Sequence, residues 1–499
     1  MNNFILKIIN KDLKNRLSTK DLKFRFSPEP SSVLHLGHIK AIYINFKLAE
    51  LFNSEINVRI DDTNPKTSKL YYVNSIIKSI YWLGYKNFNL TFASDYFNLL
   101  YKWAKLLIKK KKSIYTIYKK KKKNYNIYNI KKNLFLFKQM KIGKYKENEI
   151  VLRAKINKKS YNYHLKDPIM YRVINKKHYR TKYDWYIYPT YDWAHGQSDY
   201  IEKISHSLCS IEFENHKPLY NWFINNIYNI NFNKLKPKQI EFSRLNIHDS
   251  ITSKRKLNIL YKKNIVKNFN DLRLSTLISF KKKGYKPKYL INFIKKLGYT
   301  KRNTYISINA LNLNIKKKLF NNSFIIMVVL SPIKLIIANF KKNKIKKIKI
   351  NNNYCIFFSR YIYIEKKDFK KKHDKNFYRL SFSNYIRLKY SYIIKAYKKK
   401  KNKIYCKIYN NINSKYIKST IQWISKIKKN KINIINYKYI YFKKKKIYNV
   451  NSIKKIYGYT NILPSFLKTN KIYQFLRIGF FFLNKKYNFI TIMYMIPKF

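Results

Sequence analysis

The chain has 499 residues, with 109 Lys and Arg against 23 Asp and Glu, and a formal net charge of +86. Its 46% hydrophobic content excludes a disordered polycation, and its length allows several domains with their own cores. Such a field favours polyanions, nucleic acid first. However, Lys, Asn, Ile, Tyr and Phe are also the residues whose codons can be built from A and T alone. Gly (8) and Pro (11) are scarce, so most of the lysine excess reads as base-composition drift. The charge supports an RNA partner without locating it.

From the start, Phe4-Ile5-Leu6, Ile8-Ile9 and Leu13 among lysines make an amphipathic helix. Asp12 and the lack of a cleavage-like site speak against a targeting segment. Residues 22–27 read as a strand, 37–52 as a helix, Asn57–Ile60 as a second strand and Val73–Leu83 as a second helix. Strand, helix, strand, helix opens a doubly wound parallel sheet, where ligands bind at the carboxyl ends of strands. Two features fall there: the turn His35-Leu36-Gly37-His38, reached through Arg25-Phe26-Ser27-Pro28-Glu29-Pro30, and Asp61-Asp62. Two histidines at i and i+3 on a first helical turn share a face. Beside them the spacing predicts free backbone N–H groups suited to a phosphate, with Gly37 letting a ligand approach closely. Asp62 suits the N-cap of the next helix, and Asp61 suits a substrate ammonium.

Residues 96–184 look inserted, opening on a helix at Tyr96–Lys109. The low-complexity stretch that follows includes Thr116–Lys132, which reads as a solvated loop. The sheet is expected to resume near Trp185–Tyr188, and helical periodicity fills 258–300, with Gly284 and Gly298 as stops. From about 319, short β-branched and aromatic runs, among them Phe324–Leu330, Tyr361–Ile364 and Lys438–Phe442, suggest β-barrels. Leu319–Ile333, broken by Asn321, Asn322 and Ser323, falls short of the roughly 20 apolar residues of a membrane span. Cys209, Cys355 and Cys406 form no zinc pair, and their odd count speaks against a disulfide framework and fits a reducing cytosol. There is no phosphate-binding G-x-x-x-x-G-K-[ST] loop and no metal-ligand cluster, so no metal site is expected.

The H-x-G-H turn, the segment Ile251-Thr252-Ser253-Lys254-Arg255-Lys256-Leu257 and the run from Arg153 to Asn225 together resemble the class I aminoacyl-tRNA synthetases. Within them the resemblance is to the glutaminyl branch, and it covers nearly the whole chain. It implies a Rossmann-like catalytic domain at 1–95 and 185–250, and an acceptor-end-binding insertion at 96–184. It further implies a helical subdomain at 251–318 carrying the signature lysine loop, and two β-barrels at 319–499 for the anticodon. Among the barrel residues Arg379, Arg387 and Arg477 are candidate RNA contacts.

The same resemblance implies catalytic roles for His35, His38 and Lys254. ATP would be held by Glu29, Pro30, Ser31, His35, Leu36, Gly37, His38, Ile39, Lys40, Ala41, Ser210, Arg244, Leu245, Thr252, Ser253 and Lys254. Glutamine would be held by Arg25, Asp61, Tyr191 and Cys209. The chain departs from the family at Ser31-Ser32, where Asn-Gly is usual, and at Thr252, where Met is usual. Cys209 stands where glutamyl enzymes usually carry Arg. A buried glutamate carboxylate needs a cation and a neutral amide does not, so Cys209 favours glutamine. Mg²⁺ is expected only with ATP. Glutamine and its tRNA are the expected partners of a cytoplasmic monomer with no membrane association or separate proofreading domain. A glutamyl enzyme is the alternative. A catalytically dead RNA-binding protein is the other, disfavoured by His35, His38 and Lys254.

Overall fold

The computed structural model describes residues 3–119, 122–126, 129–228, 235–248, 254–320, 323–351, 354–371, 376–427, 429–437, 440–442, 447–449, 452–462, 467–486 and 490–494. Helix α1 (Phe4–Asn15) starts where the Asn3 side chain accepts from Leu6 N, and it buries Ile5, Leu6 and Ile9. Then come β1 (Lys23–Phe26), α2 (Leu36–Leu51), β2 (Glu55–Ile60), α3 (Leu70–Leu83) and β3 (Asn89–Phe92). The three strands are parallel, with Arg25 opposite Asn57 and Asn57 opposite Asn89. Buried residues surround α2 on most sides, as expected of a helix that is apolar nearly all round.

The insertion follows as α4 (Phe97–Lys109), β4 (Ser113–Lys119), β5 (Lys122–Asn126), α5 (Ile130–Lys141), β6 (Ile150–Ala154), β7 (Ile169–Val173) and β8 (Ile187–Pro189). Its five strands form one antiparallel sheet in the order β5-β4-β6-β7-β8. Two expectations are corrected here. Much of the low-complexity stretch is not a loop: β4 and β5 pair as a hairpin from Tyr115↔Asn126 to Lys119↔Lys122. The run Ile114-Tyr115-Thr116-Ile117-Tyr118 along β4 is made wholly of β-branched and aromatic residues, which favour a strand. The segment Trp185–Tyr188 does not resume the parallel sheet, because β8 pairs antiparallel with β7.

The parallel sheet resumes one helix later, through α6 (Tyr191–Ile201), β9 (His206–Ser210), α7 (Lys217–Tyr228) and β10 (Lys238–Phe242). Strands β9 and β10 are parallel, and Ser205 N donates to Lys23 O at 3.0 Å beside β1. The spatial order is therefore β3-β2-β1-β9-β10, the doubly wound arrangement. Its switch point lies between β1 and β9, where a crevice is expected. Helix α1 is fastened behind it, where Asp12 accepts from Lys238 Nζ at 2.8 Å and sits 3.1 Å from His206 Nε2.

Strand β11 (Leu245–His248), helices α8 (Lys254–Lys262), α9 (Leu277–Lys282) and α10 (Pro287–Leu297), strand β12 (Thr304–Ser307) and helix α11 (Ile308–Phe320) complete this half. Their Leu277, Phe280, Leu290, Leu311 and Ile315 join the core beneath α2 and β1. Beyond them lie two seven-stranded sheets. One has Ile417–Ile421 at one edge and Ile424–Ser425 at the other; the second has Phe324–Ile326 and Val328–Leu330 at its edges. In each, the two edge strands are separated by only one or two residues in the chain, so the sheet must curl back on itself. The chain begins the second barrel at 324–330, builds the whole first barrel and then returns to finish the second. Of the run at Lys438–Phe442, residues 438–439 lie outside the described residues. Among the described residues no helix is long and apolar enough to cross a membrane.

The helical subdomain touches the second barrel at Gly284, whose backbone has φ +81 just after α9. A Cβ there would come within 2.2 Å of the Phe482 ring. Gly284→Ala combines left-handed strain with overpacking and should destabilise the chain by about 1–3 kcal/mol. Thermal unfolding would measure this. Phe482→Leu should rescue part of the loss, and purely additive effects would mean that the two residues do not meet.

Candidate active site

A cavity of about 570 Å³ opens at the switch point. Arg25, Glu29, His35, Gly37, His38, Lys40, Ala41, Asp61, Tyr191, Cys209, Ser210, Arg244 and Leu245 all line it. Pro30, Ser31, Leu36 and Ile39 do not. Leu36 and Ile39 belong to the core, while Pro30 O and Pro28 O hold the strand-end turn by accepting from Lys69 N and Asp61 N. Ser31 and Ser32 are absent from the residues with positive φ, so the turn needs no glycine. Thr252 and Ser253 lie outside the described residues. Lys254 opens α8, and its side chain also lies outside them.

His35 is the N-cap of α2, with extended backbone. Its Nδ1 accepts from Gly37 N at 3.0 Å, while His35 N donates to His38 Nδ1 at 3.1 Å. The rings lie 4.0 Å apart. With both Nδ1 atoms accepting, each neutral ring carries its proton on Nε2. Burial lowers His38 to about 4 and holds His35 well below the ordinary histidine range. A Cβ at Gly37 would lie 2.8 Å from the His35 ring, so glycine lets the ring fold back over the first turn.

The backbone N–H groups expected to be free here are not. Leu36 N donates to Ser275 O at 3.3 Å, His38 N to His35 O at 2.9 Å, and Gly37 N to the His35 ring. The two Nε2–H groups, rather than the helix start, are the donors this turn offers. The bond from Leu36 N and the return bond from Leu277 N to Leu34 O, at 2.9 Å, latch the turn to the start of α9.

Asp61 and Asp62 separate cleanly. Asp62 does not cap α3, whose N-cap position is Lys69. Its carboxylate instead accepts from Ser94 N and Oγ, both at 2.8 Å, and from the Tyr179 hydroxyl at 2.9 Å. Asp61 faces the cavity with Thr63 Oγ1 donating to it at 3.0 Å, and burial raises its pKa from 3.8 to about 6. Lys40 Nζ donates to Ser243 Oγ at 2.6 Å, and burial pulls that ammonium down to about 8. Arg244 is ion-paired with Glu212, which Ser210 Oγ also approaches at 3.3 Å.

The floor holds the residues that sequence reasoning did not assign. Asp199 on α6 accepts from Arg25 Nε at 3.0 Å, Arg59 Nη2 at 2.6 Å, Ser207 Oγ at 2.6 Å and the Tyr220 hydroxyl at 3.1 Å. Arg25 also donates to Leu208 O at 2.8 Å and lies 3.0 Å from His195 Nε2. Tyr191, His195 and Asp199 recur every four residues along α6, a helical stripe visible in the sequence. Tyr191 stacks on His195 with centroids 4.9 Å apart and leans on Phe213 at 5.1 Å. Next to it Cys209 points Sγ toward Ile240 O at 3.9 Å, and burial pushes the thiol up to about 12, leaving it neutral.

The family model for the catalytic domain of class I tRNA synthetases (E and Q) matches residues 21–321, and the two anticodon-binding-domain models of the same group match 326–412 and 420–484. The chain belongs to the class I aminoacyl-tRNA synthetases of the glutamate and glutamine group. It is 41% identical to the glutamine--tRNA ligase of Buchnera aphidicola subsp. Acyrthosiphon pisum (strain Tuc7), over 83% of this chain and 75% of that one. The glutamine--tRNA ligase of Clostridium kluyveri is 35% identical over 97% of this chain and 94% of its own. That of Buchnera aphidicola subsp. Baizongia pistaciae is 37% identical over 98% and 96%.

In this synthetase's anticodon-binding half, the three arginines differ in setting. Arg379 Nη1 donates to Asp368 at 2.8 Å, and Arg477 stands 3.6 Å from the same carboxylate. Arg387 lines a second cavity of about 560 Å³ with Tyr390, Tyr392 and Tyr409.

The raised pKa of Asp61 makes a stability prediction. Its folded carboxyl binds a proton more tightly than the unfolded one, so stability falls as pH rises from about 4 to about 6 and then levels. Asp61→Asn should therefore stabilise the empty protein at pH 7.5, by up to about 3 kcal/mol for a shift of roughly two units. The gain should vanish at pH 4, where Asp61 is already protonated. Melting temperatures of both proteins at the two pH values would test this, and equal gains at both would refute the burial effect.

Proposed function

We propose that this synthetase ligates glutamine to its tRNA with ATP, and that Cys209 in the amino-acid pocket is the observation carrying that choice. A glutamate carboxylate buried against this wall would need a cation of its own. Cys209 is a neutral thiol, and the guanidinium of Arg25 is already engaged by Asp199. An uncharged amide fits that wall at lower cost. The name carried by the relatives, glutamine--tRNA ligase, supports the same reading over a glutamyl one.

Glutamine enters with its α-ammonium on Asp61 and its side-chain amide toward the Tyr191 hydroxyl. ATP, brought in as its Mg²⁺ complex, lies with adenine and ribose between Arg244 and Leu245. Its phosphates lie along Glu29, His35, Gly37, His38, Lys40, Ala41 and Ser210. The turn at Pro30 and Ser31 and the core residues Leu36 and Ile39 position this segment from behind. An α-carboxylate oxygen of glutamine attacks the α-phosphorus, and pyrophosphate leaves with the electron pair of the broken P–O bond. The Nε2–H groups of His35 and His38 donate to the phosphate as charge develops. The ammonium of Lys254, on the segment Thr252-Ser253-Lys254, follows the leaving pyrophosphate as a mobile point charge. The 2′-hydroxyl of the terminal adenosine then attacks the adenylate carbonyl and AMP departs. The hydroxyl proton passes to the leaving phosphate or to water. Positioning and charge stabilisation supply most of the rate.

ATP–pyrophosphate exchange with glutamine and tRNA present tests the assignment. His38→Ala should lower exchange by roughly 10²-fold or more, the scale of losing a preorganised donor, with tRNA affinity retained. Near-normal exchange would remove this turn from the nucleotide site.

Cys209→Arg should shift the ratio of kcat/KM values from glutamine toward glutamate. The new cation pairs with a carboxylate and gains little from an amide. An unchanged ratio would take Cys209 out of the pocket.

A further inference from the structure

Behind the Tyr191 wall, outside the cavity, three side chains from three separated segments converge. His164 stands in the 3-10 turn Tyr163–Leu165 of the insertion, between β6 and β7. Asp192 is in the first turn of α6, and His216 ends the 3-10 turn Ile211–His216 that follows β9. One ring nitrogen of each histidine and one Asp192 carboxylate oxygen all lie within 4.8 Å of one another. His216 Nδ1 is 2.6 Å from Asp192 Oδ1, and the two imidazole centroids are 3.6 Å apart. All three residues are half-buried.

We propose that His164, Asp192 and His216 bind a single zinc ion that staples the insertion to the wall of the amino-acid pocket. The donor chemistry selects the class of ion. Two imidazoles and one carboxylate suit Zn²⁺ and its neighbours among the divalent transition metals, whereas Mg²⁺ and Ca²⁺ prefer all-oxygen shells. Bonds of roughly 2.0–2.2 Å in a tetrahedral site put donors about 3.3–3.6 Å apart. The trio reaches that spacing by small side-chain rotations, which half-buried groups can make. The contact between His216 and Asp192 opens as both turn to the ion, and three protein ligands leave a position for water.

A side-chain bond already holds the site together without metal: Asn162 Nδ2 donates to the backbone Asn215 O at 2.8 Å, seating the insertion turn beside His216. The link runs on toward the pocket. His216 leans on Phe213 with centroids 5.4 Å apart, and Phe213 leans on Tyr191. An ion here would therefore fix the rear of the wall that carries Tyr191, and tie it to the sheet built from β4 to β8.

The experiment needs no turnover. The full chain, stripped with a chelator, is titrated with ZnCl₂ by calorimetry, and its melting temperature is followed with and without zinc. One equivalent should bind, and zinc should raise the melting temperature. His164→Ala and Asp192→Asn should each weaken binding by roughly tenfold or more, since even the outer partners of metal ligands cost 10- to 100-fold. Both should also reduce the thermal shift at a fixed zinc concentration. His164→Gln, a milder change at the same half-exposed turn, should behave like His164→Ala and guards against misfolding. MgCl₂ should give neither heat nor shift. Unchanged zinc stoichiometry and affinity in these variants, whether from zinc held elsewhere such as at Cys355 or from no binding at all, would overturn the site.

Discussion

The carboxylate of Asp199 is the point on which the catalytic half depends. It sits fully buried beneath the cavity and meets Arg25 from β1, Arg59 from β2, Ser207 from β9 and Tyr220 from α7. Burial alone would favour its neutral form, but the two guanidinium groups hold its pKa well below the ordinary range. Three strands and two helices are thus tied to one ion. Leaving either arginine unpaired in such a setting costs about 3–5 kcal/mol. The same helix offers a second acid one turn on: Glu202 accepts from Asn57 and Thr91 at 2.8 and 2.9 Å and pairs with Arg59 at 3.3 Å. The five-stranded order is a consequence of hydrophobic packing, but its register at the switch point is written in these charges.

That polar floor also sets the chemistry above it. A guanidinium near the pocket would ordinarily attract a carboxylate substrate. Here Arg25 is saturated by Asp199, Ser207 and the carbonyl of Leu208, so its presence beside Tyr191 and Cys209 does not make the wall cationic. Asp61, one of the carboxylates lining the pocket, is kept partly protonated near pH 6 by burial. An arriving ammonium would restore its ionisation, so in the proposed binding pose the amino group of the substrate would gain from a charge the empty protein holds at a cost.

Much of this was legible in the residues. The H-x-G-H turn, Asp61 at a strand end and Tyr191 after Tyr188-Pro189-Thr190 come from distant segments and meet on one cavity, because the strand–helix alternation puts every loop that carries them at the carboxyl edge. The misreadings have physical causes. β8 is a short apolar run, and periodicity cannot tell which of two sheets such a run will join. The hairpin of β4 and β5 is hidden in the sequence by a run of lysines and asparagines, residue types depleted in strands. The first backbone donor of α2, Leu36 N, is taken by Ser275, nearly the whole catalytic half away in sequence, which no local pattern reveals, while Gly37 N and His38 N bond back to His35. Asp199 was missed although Tyr191, His195 and Asp199 share a helical face, since an acid in a helix usually faces water. The trio of His164, Asp192 and His216 has no linear signature at all.

The division of labour between the two basic residue types follows from the same accounting of acids. Lysine dominates this chain, and its ammonium is a hydrated point charge that needs no fixed partner. Arginine is scarce, yet Arg16, Arg25, Arg59, Arg180, Arg244, Arg273, Arg379 and Arg477 each stand within 4.0 Å of a carboxylate. The planar fork meets two oxygens or two acids at once, as Arg59 does with Asp199 and Glu202, and an ammonium cannot reproduce that geometry. A drift in composition can therefore load the surface with lysine, raising the diffuse attraction for RNA, without disturbing the framework. The diffuse field is thus carried mostly by lysine and the buried floor of the site by arginine, with Lys238 on Asp12 and Lys217 on Glu241 as lysines that also hold the framework.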